Sequence, residues 1–243
     1  MENPKNSIKN DIDNIFWSSN LSNIYRFTKQ RFWERETENH EKSIAIDGLN
    51  SVGTTCRRTE SVSEHSWHLA DICLILAPKY PKLDLQLCVT LAILHDKLEI
   101  ITGDFDPLGR YGDGLDTHAF DPIKRQQKAN AEENALLEYL SMLSIPERSY
   151  HELLFRQILD LSTSEALFLK ALDKIHPLIY VIQKKNGAME DAHIHFTLRY
   201  SGQFKQYFPE LEPYYRELSR RLIESVSSYR NVDIQILKHL LHE

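Results

Sequence analysis

The stretch "LAILHDKLEIITGD", Leu91–Asp104, opens as an apolar helical run and then, within ten residues, sets down His95, Asp96, Glu99 and Asp104. A segment suited to burial thus carries one nitrogen ligand and three carboxylates, groups that are costly to bury without partners. A shared cation would offset that cost for all of them at once. Adjacent residues on a helix point about 100° apart, so His95 and Asp96 reach one ion only if it lies at the helix surface between them. Imidazole nitrogen beside carboxylate oxygen suits Mn²⁺, Co²⁺, Fe²⁺, Ni²⁺ or Zn²⁺ better than Ca²⁺, with Mg²⁺ also accommodated.

Two groups do not make a tight site, so further ligands must come from other helices. His65 is the first candidate, at the start of "SVSEHSWHLADICLILA" (61–77), which reads as a helix with Ser63 as its N-cap and an end before Pro78. Asp173 is the second, an acid interrupting the apolar stripe of "SEALFLKALDKIHPL" (164–178). "LDLQLCVTLAILHDKLEII" (83–101) is the most apolar segment and is expected to be a central helix.

Further helices are expected at about 121–143, 147–160, 163–185, 193–207, 210–228 and 231–241, and convincing strand alternation is absent. Helical spacing also runs through "IFWSSNLSNIYRFTKQRFWERE" (15–36), whereas residues 1 to about 12 are expected to be disordered. "TENHEKSIAIDGLNSVGTTCRRTES" (37–61) reads as a connector. "TGDFDPLGRYGDGLDTHAFDP" (102–122) reads as a long loop, the kind that is usually functional. The fold class is therefore all-α. An N-terminal extension is expected over 1–50, a core over 51–190, and C-terminal helices over 191–243 that pack on the core or on a second subunit.

The order His … His-Asp … Asp resembles the HD-domain metal-dependent phosphohydrolases. "RTESVSEHSW" (58–67), "LHDKLEIITGD" (94–104) and "SEALFLKALDK" (164–174) are similar to the subfamily of bacterial 5'-deoxynucleotidases and their eukaryotic relatives. The resemblance covers roughly residues 56–180. It implies an HD-domain helical bundle holding one divalent ion through His65, His95, Asp96 and Asp173. It implies that Glu99, one turn beyond His95, is the catalytic glutamate that positions or deprotonates the attacking water. Asp104 matches a second acid, close to the scissile phosphate or the leaving oxygen. General chemistry agrees: an ion lowers the pKa of a water, one carboxylate takes its proton and another protonates the leaving alkoxide.

Phosphate also needs cations. Arg58 and Arg57, just ahead of the His65 helix, are candidates, with Arg58 preferred because Arg58–Glu60 matches the family phrase. Lys97 stands where the family usually has a small or apolar residue and is a third candidate. Family members commonly carry another arginine some fifteen residues before the first metal histidine, but "SIAIDGLNSVG" (43–53) has none.

The implied reaction is hydrolysis of a nucleotide phosphomonoester, with a 2'-deoxynucleoside 5'-monophosphate first. The alternatives are a nucleoside triphosphate phosphohydrolase, drawing on Lys97, Arg110 and Lys124, and a non-catalytic nucleotide sensor. With 29 Lys and Arg against 35 Asp and Glu, the net charge of −6 argues against non-specific nucleic-acid binding. No segment is apolar enough to span a membrane. Three cysteines and a polar start, "MENPKNSIKNDIDN", predict a reducing cytoplasm. The amphipathic run 214–230 and the resemblance together suggest a homodimer.

Overall fold

A computed structural model describes residues 4–28, 31–34 and 59–241. Ten α-helices follow in order among them: α1 (Pro4–Ser19), α2 (Arg31–Glu34), α3 (Val62–Leu76), α4 (Leu85–Leu94), α5 (Glu99–Thr102), α6 (Pro122–Ser141), α7 (Ile145–Asp160), α8 (Ser164–Lys185), α9 (Asp191–Ser201) and α10 (Glu212–Arg230). The last described segment, Ile234–Leu241, is 3-10 helix. No strand forms among the described residues; one isolated antiparallel bridge joins Tyr25 to Ser61. The fold is all-α. Among these residues no helix is long and apolar enough to cross a membrane.

Two apolar cores organise the bundle. The first gathers Leu69 and Cys73 of α3, Leu91 of α4, Leu136 and Tyr139 of α6, Phe155 of α7, and Phe168 and Leu172 of α8. The second gathers Phe27, Trp33, Leu108, Leu178 and Tyr180 of α8, Ile194 of α9, and Leu222 and Val226 of α10. Helix α8 serves both, and Asp173 and His176 lie where its allegiance changes. Pro177 sits inside this helix. It has no N–H to give to the carbonyl of Asp173, four residues back, so the helix is loosened there.

Several local expectations change. The apolar helix ends at Leu94, and His95–Leu98 form tight turns closed by Lys97 N–H to Leu94 O (3.0 Å) and Glu99 N–H to Asp96 O (3.0 Å). The N-cap of α3 is Ser61, not Ser63: its hydroxyl accepts from Glu64 N, and Glu64 accepts from Ser61 N at 2.7 Å, a reciprocal capping box. Residues 4–19 are helical, not disordered. The expected helix over 15–36 is broken by the 3-10 turn Asn20–Asn23 and by Phe27, whose φ of 65° no helix tolerates. Trp67, beside the buried Ser66 of α3, is 69% exposed. The cysteines Cys73 and Cys88 are buried free thiols; Cys56 and most of the 37–61 connector lie outside the described residues.

Candidate metal and phosphate site

His65 sits on the first turns of α3, where the Ser61–Glu64 box sets the helix entry, and it is fully buried. Its Nε2 lies 3.3 Å from His95 Nε2, 3.5 Å from Asp96 Oδ2 and 3.4 Å from Asp173 Oδ1. His95 Nε2 is in turn 3.0 Å from Asp96 Oδ2. Donor separations of 3.0–3.5 Å are what one ion about 2.0–2.2 Å from each donor imposes. The donors of His65, His95 and Asp173 all fall within 4.8 Å of one another.

The proton inventory points the same way. His95 Nδ1 is 2.7 Å from the carbonyl of Ala92, so Nδ1 carries a hydrogen and Nε2 is the nitrogen left to face the ion. Burial first, then the Arg26 charge, pushes the His65 imidazole down to about 3, keeping it neutral. Burial alone would raise Asp96, but His95 beside it holds that carboxyl well below the usual range. Burial would raise Asp173 too, yet Lys170 and His65 hold it far down. Burial would lower His95, yet Asp96 beside it raises that imidazole above its ordinary value; a divalent ion would displace the Nε2 proton, and the neutral His65 and ionised carboxylates around it fit such an ion.

Glu99 lines the same cavity, 8% exposed, and its Oε2 has no hydrogen-bond partner among the described residues. Burial, with Asp96 and Asp104 nearby, raises its pKa well above the usual carboxylate value. Asp104 is raised by burial too, though the Arg26 charge opposes this, and its Oδ2 accepts from Phe27 N at 3.4 Å.

Arg26 is the residue that sequence reasoning missed. It stands 39 residues ahead of His65, far outside the expected spacing. The bridge at Tyr25–Ser61 brings it in: Arg26 N donates to Glu60 O (2.9 Å) and Val62 N to Ile24 O (2.8 Å). Phe27 stacks on Tyr180 at 5.1 Å and on Trp33 at 5.7 Å, anchoring the segment. The guanidinium bonds Glu60 Oε1 at 2.9 Å and lines the cavity with Asp96, Glu99 and Asp104. Despite this partner, burial pushes Glu60 up to about 7. An "RF" dipeptide just before aromatic "RFW" is the sequence signal, but only the fold shows that the chain returns to His65.

The same cavity wall includes Arg125, Lys128, Lys170 and Lys174, together with His118. Lys170 pairs with Asp173 Oδ2 at 3.2 Å, and Lys174 sits over the Tyr200 ring, 3.9 Å from its centroid. Burial, reinforced by the charge of Lys170, pushes Lys174 down to about 7. Lys97 corrects an expectation. Its ammonium lies 5.0 Å from the centroid of Tyr139, away from the cavity wall, because the tight turn after Asp96 swings it to the first core's rim. Arg110 and Lys124 are exposed and also outside that wall. Arg57 and Arg58 lie outside the described residues. His193, on α9, stacks on Phe32 at 4.3 Å.

The family model for the HD domain matches residues 50–212. Human 5'-deoxynucleotidase HDDC2 is 30% identical over 142 residues, covering 56% of this chain and 62% of that protein. The chain therefore spans less than two thirds of that relative's length. The Xenopus laevis protein of the same name is 28% identical over 161 residues, covering 63% and 69%. 5'-Deoxynucleotidase YBR242W of Saccharomyces cerevisiae is 25% identical over 130 residues, covering 51% and 48%. A crystal structure described as a predicted metal-dependent phosphohydrolase from Magnetospirillum magnetotacticum superposes with a TM-score of 0.61 at 18% identity, covering 92% of this chain and 96% of that one, a likeness of fold.

Proposed function

This chain belongs to the HD domain family, and from that premise we propose that it is a metal-dependent phosphohydrolase acting on a nucleotide phosphomonoester, with 2'-deoxynucleoside 5'-monophosphates as its substrates. The observation that carries this reading is the buried, unpartnered Glu99 Oε2 beside the convergent nitrogens of His65 and His95. A buried carboxylate oxygen with no partner among the described residues, in the cavity that His95 and Asp96 line, suits the role of acceptor for the proton of an activated water. The relatives named 5'-deoxynucleotidase supply the substrate class.

Charge supports a phosphate ester as the ligand. Five cationic side chains line the cavity (Arg26, Arg125, Lys128, Lys170, Lys174) against five carboxylates (Asp96, Glu99, Asp104, Glu132, Asp173). With a divalent ion bound the lining would carry an excess of positive charge, as a phosphate ester requires. The cavity volume of about 260 Å³ is close to the lower end for small-molecule sites.

His65, His95, Asp96 and Asp173 would hold the ion. When bound, it supplies positive charge to the phosphoryl oxygens and makes a water more acidic. Glu99, made more basic by burial and by its carboxylate neighbours, orients that water and takes its proton as the oxygen attacks phosphorus in line. Asp104, also raised, gives a proton to the departing sugar oxygen. Arg26 and the lysine wall bind and orient the remaining phosphate oxygens.

The test is phosphate release from nucleoside mono-, di- and triphosphates, using chelator-treated protein with Mn²⁺, Co²⁺ or Mg²⁺ restored. Metal-dependent release of free phosphate from deoxynucleoside monophosphates is expected. Turnover restricted to triphosphates, or binding of nucleotide without turnover, would replace this reading with one of its two alternatives.

A further inference from the structure

Behind His65 the structure continues in a way the reaction does not require. His65 Nδ1 lies 3.2 Å from His176 Nδ1, and His176 Nε2 lies 2.9 Å from His68 Nδ1. The rings meet edge to face, with centroids 4.4 Å and 4.9 Å apart, so each nitrogen pair faces along a usable hydrogen-bond direction. His176 is completely buried and His68 is half-buried. A ligating histidine normally gives its second N–H to a carboxylate, a carbonyl or water. His95 follows that habit with the Ala92 carbonyl; His65 faces another imidazole instead.

We propose that His176 and His68 are positioning residues forming a one-directional imidazole chain behind the metal centre. His65 Nδ1–H donates to His176 Nδ1, and His176 Nε2–H donates to His68 Nδ1. The direction follows from counting hydrogens. A lone pair on His65 Nε2 for the ion puts the only ring hydrogen on Nδ1. His176 must then receive at Nδ1 and hold its own hydrogen at Nε2, and His68 must receive at Nδ1. One lone pair therefore sets three tautomers. Because the acceptor is an uncharged ring, not a carboxylate, it orients His65 without adding negative charge behind the ion.

A rival use of the same atoms is a second cation held by Glu60, His65 and His176. Glu60 Oε1 is 3.9 Å from His65 Nδ1 and 3.8 Å from His176 Nδ1, spacings an ion would fit. That oxygen, however, already accepts from the buried Arg26 guanidinium at 2.9 Å. An ion there would sit against a fixed positive charge and would have to strip the Nδ1 hydrogen from His65. The hydrogen-bonded chain meets neither cost.

The inference rests on His65 ligating through Nε2, and the experiment separates the two claims. Zn²⁺ affinity and stoichiometry are measured by competition with a chromophoric chelator for wild type, His176→Leu, His176→Asn and His68→Ala. Histidine ¹⁵N spectra are recorded on the Zn²⁺-loaded wild type. One ion per chain is expected, with a proton on His65 Nδ1 coupled across the hydrogen bond to His176 Nδ1. His176→Leu should lose roughly 10- to 100-fold in affinity. His176→Asn, whose amide oxygen replaces the accepting nitrogen, should stay close to wild type, and His68→Ala should lose less than His176→Leu. Failure of wild type to bind Zn²⁺ would overturn the ligand set and the chain together. Tight binding by folded His176→Leu, an unprotonated His65 Nδ1, or two ions per chain would overturn the chain alone. If His176→Leu does not fold, the His176→Asn affinity and the wild-type spectrum still decide.

Discussion

Replacing Glu99 by Gln keeps the side chain's size and removes its capacity to take a proton. The four metal donors are untouched, so Glu99→Gln should retain its ion while the rate falls by roughly 10²- to 10⁴-fold, the usual scale for a general acid–base group. Metal content and phosphate release measured on one preparation check this; a near-normal rate would demote Glu99 to a structural role. The buried histidines make a second residue-scale prediction. Burial holds both His65 and His118 down to about 3, against an ordinary value of 6.5. In acid the unfolded chain takes up these protons first, so their contribution is complete above pH 6.5 and is lost as pH falls toward 3. Glu60, raised from 4.5 to about 7, has the opposite sign, but only between those values. His176 and His151 are lowered by burial as well, while Glu99 and Asp104 are raised along with Glu60; four histidines against three carboxyls leave a net loss, and below 4.5 the depressed Asp96 and Asp173 join it. The melting temperature of metal-free protein should therefore fall between pH 6.5 and 4.5 and more steeply below. A flat profile over that range would show that the imidazoles are not buried as described.

At the scale of elements, α3 carries His65 and owes its entry to the capping box of Ser61 and Glu64. Ser61→Ala should cost about 0.5–2 kcal/mol and, by letting the first turn fray, weaken Zn²⁺ binding along with stability. Denaturant melts with and without Zn²⁺ check both. Helix α8 shows the reverse relation. Pro177 withholds a hydrogen bond from the Asp173 carbonyl, leaving local freedom beside a candidate ligand. Pro177→Ala restores the N–H donor, so the melt should shift upward, by at most about 3 kcal/mol, while ion affinity drops as Asp173 and His176 are drawn into regular helix. An unchanged affinity would show that the loosened turn is incidental. The break after Leu94 belongs here as well. Four-residue turns replace the expected continuous helix, yet they still bring Glu99 to the cavity that His95 and Asp96 line, and they carry Lys97 away from it.

For the whole molecule, the donors come from α3, the turn after α4, and α8, and α8 joins the two cores. Ion binding therefore ties together segments remote in sequence. A saturating ion should raise the stability of the whole as one cooperative transition, by about 2.7 kcal/mol at 100 times the dissociation constant. Calorimetry of chelator-treated and Zn²⁺-loaded protein checks this. An ion that shifted only part of a split transition would mean that the two cores melt apart.

The all-α class was legible in the sequence because helical periodicity is a local property: apolar residues repeat along α3, α4, α6 and α8 whatever those helices touch. The convergence of His65, His95, Asp96 and Asp173 was legible for a related reason, since acids and imidazoles set into apolar stripes declare a need for a shared partner. What only the tertiary structure decided was the supply of positive charge and the surroundings of His65. Arg26 reaches the site through the Tyr25–Ser61 bridge and the stacking of Phe27 on Tyr180, long-range contacts that leave no periodic trace. Nothing local to Lys170 and Lys174 records the cavity that α8 lines, and nothing local to His176 records that it meets His65. Periodicity records which face of an element is buried. It does not record which other buried face lies opposite, and the electrostatics of this site are set there.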